Sequence, residues 1–384
     1  MTTPLEALPL DQLRTRTSTK WATYPEDVLP LFVAETDFAL APAIAETLMA
    51  AVERGDTGYV PPKTGYPDAF AAFAERRFGW HVDPARVRTT CDVMMGVAEA
   101  IRAVATAGEG VIVTPPVYPP FFAVHDESGT HAVRVPLAET ESGWQLDLDG
   151  IDAAFAAGAR AILLCNPHNP TGTVHSRESL AALAEIAARH GAWVISDEIH
   201  APLTLPGAEF TPFLAASDTA AEVGVAIMSA SKAFNLAGLK CAHFVTASDA
   251  AQAVVSRIPM EVEWRTGLFG IMAGIAAFRD GDNWLDALLA RLDANRGLLV
   301  DLLAEHVPGA RYRPGQAGFL AWVDLRELGW GDDPSRTILT EAKVALNPGP
   351  AFGEQGRGFA RINYGTGPEI LEQAVRRIGA LVAS

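Results

Sequence analysis

Several short strings in this chain carry side chains whose types and spacing could do chemistry, and the first centres on one lysine. In AIMSASKAFNLAGLK a strand-like apolar run ends in Ser229, Ser231 and Lys232, with Lys240 further along the same string. A lysine desolvated at a strand end and facing a second cation has a lowered pKa, which makes its amine a nucleophile toward an aldehyde. An exposed lysine in a serine-rich turn fits the same letters, so the other strings must decide. In AWVISDEIH, Asp197 and Glu198 follow a buried-looking strand, where a carboxylate is costly unless it meets a cation. A protonated pyridine nitrogen would be such a partner, and keeping that nitrogen protonated turns its ring into an electron sink.

CNPHNPTG packs two asparagines and two prolines into a loop directly after a strand, so its backbone is stiff and its amides point in fixed directions. Asn169 could donate to a phenolate oxygen on the same ring. Gly96, in MMGVAEAIRA, opens a predicted helix whose free N–H groups could hold a phosphate, with Ser229, Ser231 and Lys240 closing the cup. Tyr118, in TPPVYPPFF, could stack on the ring, although aromatics at strand ends also serve as plain packing. Arg361 sits mid-strand in GFARINYG, where its guanidinium needs a carboxylate. A substrate α-carboxylate gripped by two parallel hydrogen bonds would suit it, as would a structural salt bridge.

These side chains must be positioned by regular elements. From about residue 90 to residue 250, helical patterns alternate with short apolar runs, which predicts an α/β domain with a mostly parallel sheet flanked by helices. The unit from Ala161 to Asp197 is the clearest. Ser176 is placed to cap a helix, Leu180, Leu183, Ile186 and Ala187 form one apolar face, and Gly191 ends it before the next strand. Such a crossover helix makes its two strands parallel, so NPHNPTG and DEIH should open on one edge of the sheet. After about residue 267 comes a long helical stretch and then short strands such as GFLAWVDL, which predict a smaller α+β domain. The expected division is 1–45 for an N-terminal arm with part of the small domain, 46–280 for the large domain, and 281–384 for the C-terminal small domain.

With 384 residues, 49% of them hydrophobic, the chain can bury a large core. Its net charge of −16 repels nucleic acid and anionic membranes, so neither is expected as a partner, and small-molecule chemistry is. Three scattered cysteines, with no C-x-x-C pair and no His/Cys cluster, predict a reducing, cytoplasmic setting and no metal. The N-terminal residues lack the apolar core of a secretory signal, and no run of apolar residues is long enough to span a bilayer.

Taken together, NPHNPTG, SDEIH, SASKAFNLAGLK and GFARINYG, in this order, resemble the fold type I pyridoxal-phosphate enzymes of the class I/II aminotransferase superfamily. FVAETDFALAP, GEGVIVTPPVYPPFF, WLDALL and FGEQGRGFARIN extend the likeness to its cystathionine β-lyase (C–S lyase) branch. The resemblance implies pyridoxal 5′-phosphate as cofactor, with Lys232 as the Schiff-base lysine, Asp197 on the pyridine nitrogen, Asn169 on the ring oxygen and Tyr118 over the ring. Arg361 would take the substrate carboxylate. Ser229, Ser231, Lys240 and the turn at Gly96, Val97 and Ala98 would hold the phosphate, helped by Tyr59 from the second subunit of a homodimer with shared active sites. His200 stands where typical aminotransferases have tyrosine, which favours the lyase branch, and Lys240 stands where many have arginine. The implied reaction is cleavage of cystathionine or related S-substituted cysteines to a thiol, pyruvate and ammonia. Transamination shares its first steps and is the alternative, followed by a cofactor-holding regulatory or binding role. The physiological thioether is not legible.

Overall fold

The computed structural model describes residues 3–382. Its central layer is a seven-stranded sheet of β1 (Val87–Thr90), β2 (Gly110–Val113), β3 (His131–Arg134), β4 (Ala161–Cys165), β5 (Trp193–Asp197), β6 (Gly224–Met228) and β7 (Ala242–Val245). The spatial order is β1-β7-β6-β5-β4-β2-β3. β7 runs antiparallel to both neighbours and the other pairings are parallel. β4 and β6 are buried along their whole length, which is why AILLC and GVAIM read as continuous apolar runs without alternation.

Helix α1 (Val93–Val104) follows β1, and α2 (Arg177–Arg189) makes the crossover from β4 to β5. The Ser176 side chain accepts the Ser179 N–H at 3.2 Å and caps α2, while Gly191, at φ +63°, lets the chain turn back into β5. Leu180, Leu183 and Ile186 are buried against the sheet, each burial stabilising the layer by about 2 kcal/mol. The resulting parallel register sets Cys165 beside Asp197, so the loops after β4 and β5 leave from one edge.

The expected long helical stretch is two helices, α3 (Leu268–Asp280) and α4 (Asp282–His306), meeting at Gly281. A side chain there would meet the Ala277 carbonyl at 2.4 Å and the Phe234 ring at 2.5 Å, so the break needs a residue without a Cβ. Beyond α4 lies an antiparallel sheet of β8 (Arg311–Tyr312), β9 (Leu320–Asp324), β10 (Asn347–Pro348) and β11 (Phe359–Asn363), ordered β8-β9-β11-β10. The N-terminal segment packs on this part: Leu29 and Pro30 pair in parallel with Val344 and Ala345. The Asn363 amide also donates to the Val33 and Glu35 carbonyls at 2.6 and 2.7 Å. Three regions distant in sequence therefore converge beyond the ends of β4 and β5.

Candidate active site

A cavity of about 410 Å³ opens at that convergence, walled by the loops after β4, β5 and β6, by Phe32–Ala34, and by Arg361 from β11. Lys232 follows β6 and donates from Nζ to the Ala34 carbonyl at 3.0 Å. Burial, reinforced by the Arg361 charge, pushes its amine down to about 8, against the opposing pull of Glu35 and Asp197. At the end of β5, burial pushes the Asp197 carboxyl up to about 7, although the Ile199 N–H at 3.1 Å and the Lys232 charge favour its ionised form. Such a carboxyl ionises fully once a cation is placed beside it.

Asn169 and Arg361 meet across the cavity. The guanidinium donates from Nη1 to Asn169 Oδ1 at 3.0 Å and from Nη2 to the Phe32 carbonyl at 2.9 Å, and lies 5.1 Å from the centre of the Phe352 ring. Its Nε is buried without a partner among the described residues, and burial lowers its pKa to about 10. The guanidinium lines the cavity, where its charge suits an anionic acceptor. Tyr118 lines the same cavity, and its backbone N–H bonds the Asn169 carbonyl at 3.1 Å, tying two loops together. His200 is buried in the wall. Burial, with Lys232 and Arg361 nearby, takes its imidazole down to about 3, so it is neutral, and its Nδ1 has no partner among the described residues.

At the other end of the cavity the structure corrects the expected phosphate cup. α1 opens at Val93, one turn before Gly96, and its cap is Asp92, which accepts the Met95 N–H at 2.8 Å. The Gly96 N–H is already bonded to the Asp92 carbonyl, and Gly96, Val97 and Ala98 are buried in the helix. A Cβ on Gly96 would meet Ile227 Cγ2 at 3.2 Å and Thr90 Cγ2 at 3.3 Å, so this glycine serves close packing of the helix on the sheet. The first-turn residues facing the cavity are Val93 and Met94. Lys240, in the left-handed region at φ +57°, places Nζ 3.0 Å from Asp92 Oδ2. Ser231 lines the cavity, whereas Ser229 stands behind it. The Ser229 hydroxyl bonds the Cys241 carbonyl at 2.7 Å and accepts the Ser231 N–H at 3.0 Å, holding Ser231 in place. Tyr59 is fully exposed, outside the cavity wall of its own chain.

Reading along the chain missed part of this wall: Phe32–Ala34, Asp92–Met94, Cys165, Ile199, Ala237 and Asn347. Asp92 carries a local signal, being a capping residue just ahead of an apolar helical run. Asn347 carries none, since only its pairing with Arg361 across β10 and β11 brings it in.

The profile of the family described as aminotransferase class I and II matches residues 26–378. The chain is 46% identical to a Mycobacterium leprae protein named provisionally as a cystathionine beta-lyase, over 98% of this chain and 97% of that one. It is 37% identical to the cystathionine beta-lyase of Corynebacterium glutamicum, over 97% and 99% of the two chains. Among solved structures, a Corynebacterium diphtheriae protein described provisionally as a PLP-dependent beta-cystathionase superposes with a TM-score of 0.94. That pair shares 36% identity over 99% of each chain.

Proposed function

The chain belongs to the class I and II aminotransferase family, and from that membership we propose that it is a pyridoxal 5′-phosphate-dependent carbon–sulfur lyase. It cleaves cystathionine or related S-substituted L-cysteines to a thiol, pyruvate and ammonia. The observation that carries this reading is its end-to-end similarity to a cystathionine beta-lyase, 37% identical over 97% of this chain.

The site fits the cofactor. A buried carboxyl at Asp197 asks for a cation, a reactive-range amine stands at Lys232, and a helix start with Ser231 and Lys240 offers donors to a phosphate. When bound, pyridoxal phosphate supplies a conjugated ring that accepts the electron pair released at the substrate's Cα. Asp197 would hold the proton on the ring nitrogen, the Asn169 side-chain amide would donate to the ring oxygen, and Tyr118 would cover the ring. Arg361 binds the α-carboxylate, turning the Cα–H bond toward Lys232, whose neutral amine takes that proton. With Cα deprotonated, the sulfur on Cβ would depart as a thiolate and take a proton from the Lys232 ammonium, and water would hydrolyse the remaining unsaturated amino acid to pyruvate and ammonia.

Tyr59, fully exposed in one chain, reaches the phosphate of a second copy in a homodimer with shared active sites. All three cysteines are free thiols, which supports a reducing, cytoplasmic setting. Among the described residues no helix is long and apolar enough to cross a membrane. The chain divides near Gly281, with residues before 46 joining the C-terminal domain.

The same catalytic set can transaminate, as the family's name indicates. The separating experiment incubates the holoenzyme with L-cystathionine and no keto acid while pyruvate and free thiol are followed, then repeats with an amino acid plus 2-oxoglutarate. Thiol and pyruvate released in equal amounts without a keto acid is the expected result. Strict dependence on the keto acid would make the protein an aminotransferase.

A further inference from the structure

The segment from Phe32 to Phe38 is bonded at one end to two of the cavity's cations, Lys232 and Arg361, and at the other to a buried ion pair. Lys232 Nζ donates to the Ala34 carbonyl at 3.0 Å and Arg361 Nη2 to the Phe32 carbonyl at 2.9 Å. Asn235 brackets Thr36 through its backbone N–H and carbonyl, at 3.1 and 3.2 Å. At the next residue, the Asp37 carboxylate accepts from Lys20 Nζ at 2.7 Å and from Trp21 Nε1 at 2.9 Å, and Lys20 also reaches the Glu35 carbonyl at 3.2 Å. The Lys20 and Asp37 side chains are both 0% exposed.

Burying two charges is costly even when they are paired, and an apolar pair of similar volume usually holds a fold equally well. Stability alone therefore does not account for Lys20 and Asp37. What an ion pair adds is direction, because each oxygen and each N–H has one bonded geometry. The groups so directed are backbone carbonyls that act on mobile cations. Lys232 has a flexible four-carbon stem, and an acceptor at 3.0 Å selects one orientation of its amine. Arg361 has one terminal nitrogen held by Phe32 and the other by Asn169, which fixes the plane of its guanidinium.

We propose that Lys20 and Asp37 are positioning residues for the reaction, fixing the Phe32–Asp37 segment so that its carbonyls orient the Lys232 amine and the Arg361 guanidinium. This rests on the reading of Lys232 as the proton-transferring amine and of Arg361 as the carboxylate anchor.

The test is the double variant K20M/D37N, which removes both charges and leaves neither buried alone. Rates on L-cystathionine are divided by the cofactor bound, measured from its visible absorbance. The expected result is a kcat per bound cofactor lower by about tenfold, the order expected of a small misplacement of reacting groups, together with a raised KM. A purely structural role would reduce folded or loaded protein while leaving kcat per cofactor and KM at wild-type values, and that result overturns the proposal. Should the double variant not fold, Asp37→Glu keeps both charges while displacing the carboxylate by one methylene. A changed kcat and KM there supports the proposal, and unchanged constants overturn it. Lys232→Ala run in parallel separates the two levels. Retained turnover in that variant sinks the underlying reading, whereas its loss beside a wild-type K20M/D37N sinks only the positioning role.

Discussion

At the scale of single residues, burial pushes Lys232 and Asp197 in opposite directions, favouring a neutral amine and leaving the carboxyl in need of a cation. An amine brought down to about 8 is roughly half neutral at pH 8, where an ordinary lysine would be well below 1% neutral. The acidic limb of the kcat profile is therefore expected to rise through about pH 8. Asp197 is held near 7 by burial, so its charge depends on a cationic partner. Asp197→Asn keeps the shape but cannot hold the ring nitrogen protonated, and it should lower kcat/KM by about 10²–10³ while cofactor remains bound. Full activity in that variant would remove Asp197 from the mechanism. Lys232, Asn169, Asp197 and Arg361 could be singled out from the sequence because each is a costly side chain in an apolar or stiff context. Asp37 and Lys20 could not. Their burial arises from a fold that brings residues 20 and 37 together behind the cavity; Asp37 stands within FVAETDFALAP, but nothing local in that string pairs it with Lys20.

At the scale of elements, the crossover unit β4–α2–β5 was legible in full: its cap, apolar face and terminating glycine are local signals, and they set Asn169 and Asp197 on one edge. The start of α1 was legible only in part. Gly96 drew attention as a glycine in a helical string, yet a glycine buried within a helix reports close packing, and the first turn belongs to Asp92. Asp92 both caps α1 and pairs with Lys240. Asp92→Ala is expected to cost about 1 kcal/mol of stability through the lost cap. It should also loosen the phosphate end, which dialysis of the holoenzyme would show as faster cofactor loss. Wild-type retention would place the phosphate away from this turn. Similarly, the break at Gly281 was hidden because helical periodicity continues across it, and its cause is space beside Phe234.

At the scale of the whole molecule, the cavity draws on an N-terminal segment, the edge of a parallel sheet and a strand near the C-terminus, with Arg361 hundreds of residues from Phe32. Alternating patterns announced the sheet, but the approach of residues 32–34 is a property of tertiary packing. The proposed homodimer would extend this logic, with Tyr59, fully exposed in its own chain, serving the site of the other copy. Mixing Lys232→Ala with Tyr59→Ala subunits should restore activity, because each hybrid dimer contains one site with both residues intact. Simple averaging of the two parent activities would speak against a shared site.

The most direct measurement of the central claim is to reduce the holoenzyme with borohydride, digest it and sequence the cofactor-bearing peptide. The account predicts the label on Lys232, within SASKAFNLAGLK, and its absence from that peptide in Lys232→Ala. A label on Lys240 or on another lysine would contradict it.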